Sequence, residues 1–238
     1  MKKIVLVMLL ALCLVQPAWS GWDEGVAAYN RGDYKSALRE WKPLANVGLP
    51  LAQALVGGMY AEGKGVPQDY AKALYWYRKA AEQREARAQS NLARMYYRGL
   101  GVPQDFTQAA HWYRKAAEQG FAPAQAALGG MYRQGVPGIP QNYAKALNWF
   151  RLAAGHGYGL AQWGLGLMYA DGEGVIRDYV KAHMWMNLAV ADGIKDAADS
   201  RNLVAAKMTT QQIAEAQRLA SEWKPKPATK PETPPSKP

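Results

Sequence analysis

Tyr70-Ala71-Lys72-Ala73-Leu74-Tyr75-Trp76-Tyr77 is the stretch on which the reading of this chain turns. It returns as Phe106 to Tyr113, as Tyr143 to Phe150 and as Tyr179 to Met186, and a shorter copy, Tyr34-Lys35-Ser36-Ala37-Leu38, precedes it. Successive starts lie 36, 36, 37 and 36 residues apart. A fixed period of this length marks a repeat architecture, in which each unit buries its apolar face only against its neighbours. A second block alternates with the first. Ala52-Gln53, Val56-Gly57 and Met59-Tyr60 match Ala88-Gln89, Leu92-Ala93 and Met95-Tyr96, and the pattern runs again from Ala124 to Tyr132 and from Ala161 to Tyr169. Two blocks per period predict two helices per unit.

Spacing within the blocks supports helices. Tyr70, Leu74, Tyr77 and Ala81 fall at i, i+4, i+7 and i+11, and Ala73, Trp76 and Ala80 form the adjacent ridge, so one broad face is apolar. Lys72, Tyr75, Arg78, Lys79 and Glu82 lie opposite, as a solvated face. Arg78 with Glu82, and Arg114 with Glu118, stand at helical ion-pair spacing. Asp69, Asp105, Asn142 and Asp178 each precede the aromatic that opens a second helix, where a short side chain can cap free N–H groups. Gly63, Gly99, Gly135 and Gly172 close the first helices, where a left-handed residue is needed. The Gly-x-Gly loops that follow, as in Gly63-Lys64-Gly65, have the look of a phosphate cradle. No strand precedes them and they recur in every full loop, so they read as structural. The copy Gly135-Val136-Pro137-Gly138-Ile139-Pro140 is a residue longer with two prolines, which predicts a local irregularity.

The recurring pattern Ala-x-x-Leu-Gly-x-Met-Tyr-x-x-Gly-x-Gly-Val-Pro-x-Asp-Tyr-x-Lys-Ala-x-x-Trp-Tyr-x-x-Ala-Ala-Glu resembles the Sel-one-like repeat family, a branch of the tetratricopeptide-like α-solenoids. The resemblance implies an all-α fold, an α-solenoid of helix hairpins. Four units are expected at about 50–85, 86–121, 122–158 and 159–194. Residues 21–49, with Tyr29-Asn30-Arg31-Gly32-Asp33-Tyr34, look like an ordinary tetratricopeptide hairpin. Residues 195–223 depart further and read as two capping helices, the second starting at Thr209 or Thr210, because the last repeat would otherwise leave an apolar face in water.

The two ends of the chain carry different signals. Lys2 and Lys3 precede an apolar run of twelve residues, Ile4 to Val15, and Ala18-Trp19-Ser20 supplies small residues where a signal peptidase reads. Residues 1–20 are therefore expected to be a cleaved secretory signal, with Gly21 as the mature start and a periplasmic or secreted destination. The run is too short for a retained membrane span, which needs about 20 apolar residues. Cys13 lies inside that run with Leu12 before it, a poor match to a lipid-modified cysteine, and the mature chain has no other thiol. After Trp223 the chain becomes a Pro/Lys-rich stretch, 224–238, without apolar side chains to bury, expected to be disordered or extended. Without Lys2 and Lys3 the balance is 27 basic against 19 acidic residues. Three of those eight net charges sit on the final fifteen residues, so the folded part carries too little positive field for nucleic-acid binding.

Groups for catalysis are thin. His111, His156 and His183 occupy positions held by other residue types in sister units, which ligands should not be. No motif for a zinc hydrolase, an activated serine or a full phosphate loop occurs, and no cofactor or metal is expected. Trp76, Trp112, Trp149 and Trp185 could stack on sugars, but their identical place in each unit argues for core. Solenoids bind along an extended concave surface formed largely by first helices, and residues that vary between units are free to serve recognition. Asn91, Arg94, Tyr97 and Arg98 stand out within two turns, and Arg133 is added from the next unit. The resemblance implies an adaptor that binds another protein, in the envelope or outside the cell. A binder of envelope glycan or peptidoglycan is the second expectation. A β-lactam-processing enzyme is the third, resting on cysteine-rich relatives whose disulfides and Ser-x-x-Lys motif are missing here.

Overall fold

The computed structural model describes residues 20–226. Among these residues there are twelve α-helices and no strand. They are α1 (Ser20–Asn30), α2 (Tyr34–Asn46), α3 (Pro50–Glu62), α4 (Tyr70–Glu82), α5 (Ala86–Arg98) and α6 (Phe106–Glu118). α7 (Ala122–Gln134), α8 (Tyr143–Gly155), α9 (Gly159–Asp171), α10 (Tyr179–Ala191), α11 (Lys195–Ala205) and α12 (Thr210–Glu222) complete the set. The secretory signal expected at residues 1–20 lies outside the described residues apart from Ser20, the first residue of α1, and residues 227–238 of the Pro/Lys-rich stretch lie outside as well.

Chain contacts divide the molecule into two compact units. One runs through Met95 and includes Gly99–Pro103; the other comprises Tyr96–Arg98 and the chain from Gln104 onward. In the first unit α1 packs on α2, α2 on α3 and α3 on α4. In the second, each helix from α6 to α10 packs on the next, and α12 returns to α10. Consecutive antiparallel hairpins stacked this way make an α-solenoid.

The helix boundaries follow from the capping residues. Asp33, Asp69, Asp105, Asn142 and Asp178 accept the backbone N–H of the residue three positions on, at 3.1, 2.9, 2.8, 2.9 and 2.9 Å. Thr209 makes a reciprocal capping box with Gln212, which fixes the start of α12. Gly63, Gly99 and Gly172 end α3, α5 and α9 in the left-handed region. The second glycine of the loop has a separate reason. A Cβ on Gly65 would meet the Tyr34 backbone at 2.6 Å, and one on Gly101 or Gly174 would lie 2.8 Å from Tyr70 or Tyr143. The Gly-x-Gly loop thus lies against the start of the preceding second helix, which gives its second glycine a packing role. In the long copy, Gly135 has ψ 126 instead of a helical value. Val136 and Ile139 then exchange two hydrogen bonds across Pro137-Gly138, with Gly138 at φ 79, a type II turn.

Alanines and a few large side chains fill the core. Trp41, Met59 and Tyr77 are buried in the first unit, and Leu128, Phe150, Leu165, Met168 and Met186 in the second. The recurring glutamine is buried too, and the structure gives it a job that its sequence position did not reveal. Gln53, Gln89 and Gln125 each donate from Nε2 to the carbonyl of the alanine eight residues earlier, at 3.1, 3.0 and 3.0 Å. Those carbonyls lie in the last turn of the preceding second helix, where each also accepts the backbone N–H three residues on, so the glutamine ties one hairpin to the next. Gln53 Oε1 in turn accepts from Gln83 Nε2 at 2.8 Å.

Candidate binding face of the first helices

Positions one, four and seven residues along each first helix share a face, so residues that vary between units line up on it. In the first unit that face encloses a hollow of about 260 Å³. Its rim comes from Tyr29 of α1, Leu55 and Glu62 of α3, and Arg87, Asn91 and Arg94 of α5, with Tyr77 of α4 at its base. The base exists because of Gly57, with Gly58 in ordinary contact beside it. A Cβ at Gly57 would meet the Tyr77 ring at 2.8 Å, and one at Gly58 would stand 3.5 Å from its hydroxyl. Burial pushes the Tyr77 hydroxyl up to about 12, with Arg94 opposing the rise and Glu62 adding to it. That hydroxyl therefore stays a neutral donor at physiological pH.

Charge in the hollow is unbalanced. Glu62 is taken by Lys64, whose Nζ lies 2.7 Å from the carboxylate and donates to Tyr29 Oη at 2.8 Å. These two hydrogen bonds, Glu62 first, hold the Lys64 ammonium well above its usual range. Among the described residues no carboxylate pairs with Arg87 or Arg94, and the Asn91 side chain has no hydrogen-bond partner. Arg87 and Arg94 are both exposed.

The five residues singled out by sequence are thus placed differently. Asn91 and Arg94 meet at the hollow of the first unit. Tyr97, Arg98 and Arg133 belong to the second unit. Tyr97 packs edge-on against Phe106, with ring centroids 5.2 Å apart. Arg98 is exposed in the last turn of α5. Arg133 is held between Glu173, at 2.5 Å, and Asp171, at 3.5 Å, and so ties α7 to the loop after α9. Arg87 was missed. Its counterparts Leu51, Pro123 and Leu160 differ as widely as those of Asn91, so the same comparison begun one turn earlier would have found it.

The tryptophans are less uniform than their spacing implies. Trp76 is buried, at 7% exposure, whereas Trp112, Trp149 and Trp185 are half-buried. Trp112 lies under Lys115 Nζ, 4.5 Å from the ring centroid. Trp149 lines an open groove of about 550 Å³ between α6, α7 and α8 with Arg114, Tyr132, Lys145, Asn148 and Leu152. Arg114 donates from Nη2 to the Tyr132 hydroxyl at 3.0 Å. His183 is buried beside Asn187, 3.1 Å from its Nδ1, and burial, followed by the charge of Arg201, keeps it below the ordinary histidine range. His111 is exposed and His156 half-buried. No cluster of three metal-ligating side chains occurs among the described residues, and none of their helices is long and apolar enough to cross a membrane.

The stacked hairpins, their glycine-closed loops and their buried glutamines define the class: an α-solenoid of tetratricopeptide-like units. The Sel1 repeat model matches residues 50–84, 86–121, 122–158 and 159–194, and the chain belongs to the Sel1 repeat family. Sel1 repeats are protein-interaction modules. Among solved structures, a Sel1 repeat protein from Oxalobacter formigenes is 32% identical, with a TM-score of 0.71 over 83% of this chain and 80% of that one. The uropathogenic Escherichia coli protein c5321, a protective antigen with an SLR fold, is 25% identical, with a TM-score of 0.51 over 87% of this chain and 61% of that one. The immunity protein Pa5087 of Pseudomonas aeruginosa shares the fold at 21% identity, with a TM-score of 0.53 over 83% and 81% of the two chains. A search of curated proteins found no match.

Proposed function

We propose that this protein is an exported, non-enzymatic adaptor that binds a protein partner in the envelope or outside the cell through the variable face of its first helices. One observation carries the reading. Arg87, Asn91 and Arg94 converge on one hollow without internal partners, whereas the recurring side chains are engaged in capping, packing and repeat-to-repeat hydrogen bonds. Side chains that stabilise nothing inside the chain are the ones available to a partner. Export rests on Lys2, Lys3, the apolar run and Ala18-Trp19-Ser20, and N-terminal sequencing of the protein from cells tests it, Gly21 being the expected first residue.

Photo-crosslinking in the native cell tests the adaptor reading. A crosslinker at Leu55 or Asn91 is expected to capture a protein that a crosslinker at Lys79 or Lys115, on the second helices, does not. Capture from the second-helix positions alone would place recognition elsewhere. A glycan ligand is the second reading, favoured by the groove beside Trp149, whose half-buried ring is open to stacking. Retention of isolated peptidoglycan that is lost in Trp149→Ala and kept in Arg94→Glu would support it over the first.

A further inference from the structure

Resting on the reading of the first-helix face as the protein-binding face, we infer that the hollow between α1, α3 and α5 receives acidic side chains from a segment of the partner protein. Two observations and one general rule support this chemistry. The excess charge of the hollow is positive, because Lys64 neutralises Glu62 and leaves the guanidiniums of Arg87 and Arg94 without carboxylates among the described residues. Every remaining polar group that faces it can donate: two guanidiniums, the Asn91 amide and the Tyr77 hydroxyl. Guanidinium and carboxylate match in shape, and their charge-assisted hydrogen bonds are the strong ones.

Size separates a chain segment from a small anion. Arg87, Asn91 and Arg94 stand at i, i+4 and i+7, so the donors run for about 10 Å along α5, the length of a few residues of extended chain. The walls between them are apolar, with Ala54, Leu55 and Met59 lining the same hollow. A single phosphate or acetate could not use both. A peptide carrying acidic residues beside an apolar one can.

Panning a phage-displayed random heptapeptide library on the full mature protein tests the inference. Enriched peptides are expected to carry Asp or Glu and to bind about 10-fold more weakly to Arg87→Gln and to Arg94→Gln, and weaker still to the double variant. Both arginines are exposed, so the variants should keep the wild-type circular dichroism and melting midpoint, and Arg177→Gln serves as a charge-matched control that binds normally. Peptides without acidic residues, still displaced by filling the hollow with Leu55→Trp, would overturn the inference and leave the binding face standing. Acidic peptides indifferent to both arginines would overturn it as well. If no peptide responds to Leu55→Trp, the reading of the face itself falls. Preference for a heparin-derived hexasaccharide over every peptide, lost in the double variant, would assign the hollow to an anionic glycan instead.

Discussion

His156 stands where two other units have Gln83 and Gln119, at the end of a second helix. Gln83 completes the hydrogen bonding of buried Gln53, but in the unit ending at His156 both Gln125 Oε1 and His156 Nδ1 are buried without a partner. An unsatisfied buried acceptor costs about 1 to 3 kcal/mol. His156→Gln should recover part of this, raising stability by about 1 kcal/mol, read as a higher urea midpoint at unchanged slope. A midpoint equal to or below wild type would show that the two groups are not what limits this unit. Gln53→Ala tests the converse, since it removes two hydrogen bonds at once, to the Ala45 carbonyl and from the Gln83 amide; a loss of about 2 kcal/mol is expected in the same titration.

At the scale of the helix, the caps tie stability to pH. The backbone N–H of Lys72 and then its ammonium hold the Asp69 carboxyl below the usual aspartate range. Burial acts against Asp178, but the Lys181 N–H and ammonium outweigh it and lower that carboxyl as well. A carboxyl lowered on folding takes up its proton more readily in the unfolded chain. Its contribution is therefore complete above the ordinary aspartate value of about 4 and is lost as pH falls through the lowered folded value. Asp69→Asn/Asp178→Asn keeps both caps uncharged, as Asn142 already does, and should flatten the acid limb of a stability profile measured down to about pH 2. An acid limb as steep as wild type would assign it to other carboxylates. Helix pairing also depends on absent side chains. A Cβ at Gly129 would lie 2.7 Å from the buried Phe150 ring, so Gly129→Val is expected to cost about 1 to 3 kcal/mol in thermal denaturation.

For the whole molecule, the exposed end of a repeat stack is the hazard. α10 ends the repeated pattern, and its Ala182 and Met186 are buried with Val204, while Trp163, Tyr179 and Met208 pack around them. Removing α11 and α12 would return that surface to water. A chain ending at Gly193 should melt at lower temperature and self-associate in light scattering, whereas the full chain should not associate through this face. The closing segment has one more anchor. Lys226 donates its N–H to the Gly155 carbonyl at 2.7 Å, and Trp223 meets Trp185 at a centroid distance of 6.0 Å, so the start of the Pro/Lys-rich stretch is docked in extended form beyond α12. Composition could not reveal this, because the docking uses a backbone N–H and the one tryptophan before the prolines.

What the sequence by itself determined is the scaffold of the repeat. Period, apolar face, cap and closing glycine are local properties: each is read within a turn or two of helix, and five copies average away the exceptions. The succession of helix hairpins was legible for that reason, whereas the departure of the Gly135–Pro140 copy was legible only as an irregularity, and its Val136–Ile139 turn came from the structure. Only the tertiary structure decided which variable residues meet. Asn91 and Arg94 share a hollow with Arg87 and Tyr77, while Arg133, chosen on the same grounds, is spent on Glu173 and Asp171. The partner of a side chain on such a face comes from another helix, tens of residues away in the chain. Which neighbour that is depends on the stacking of units rather than on spacing within one.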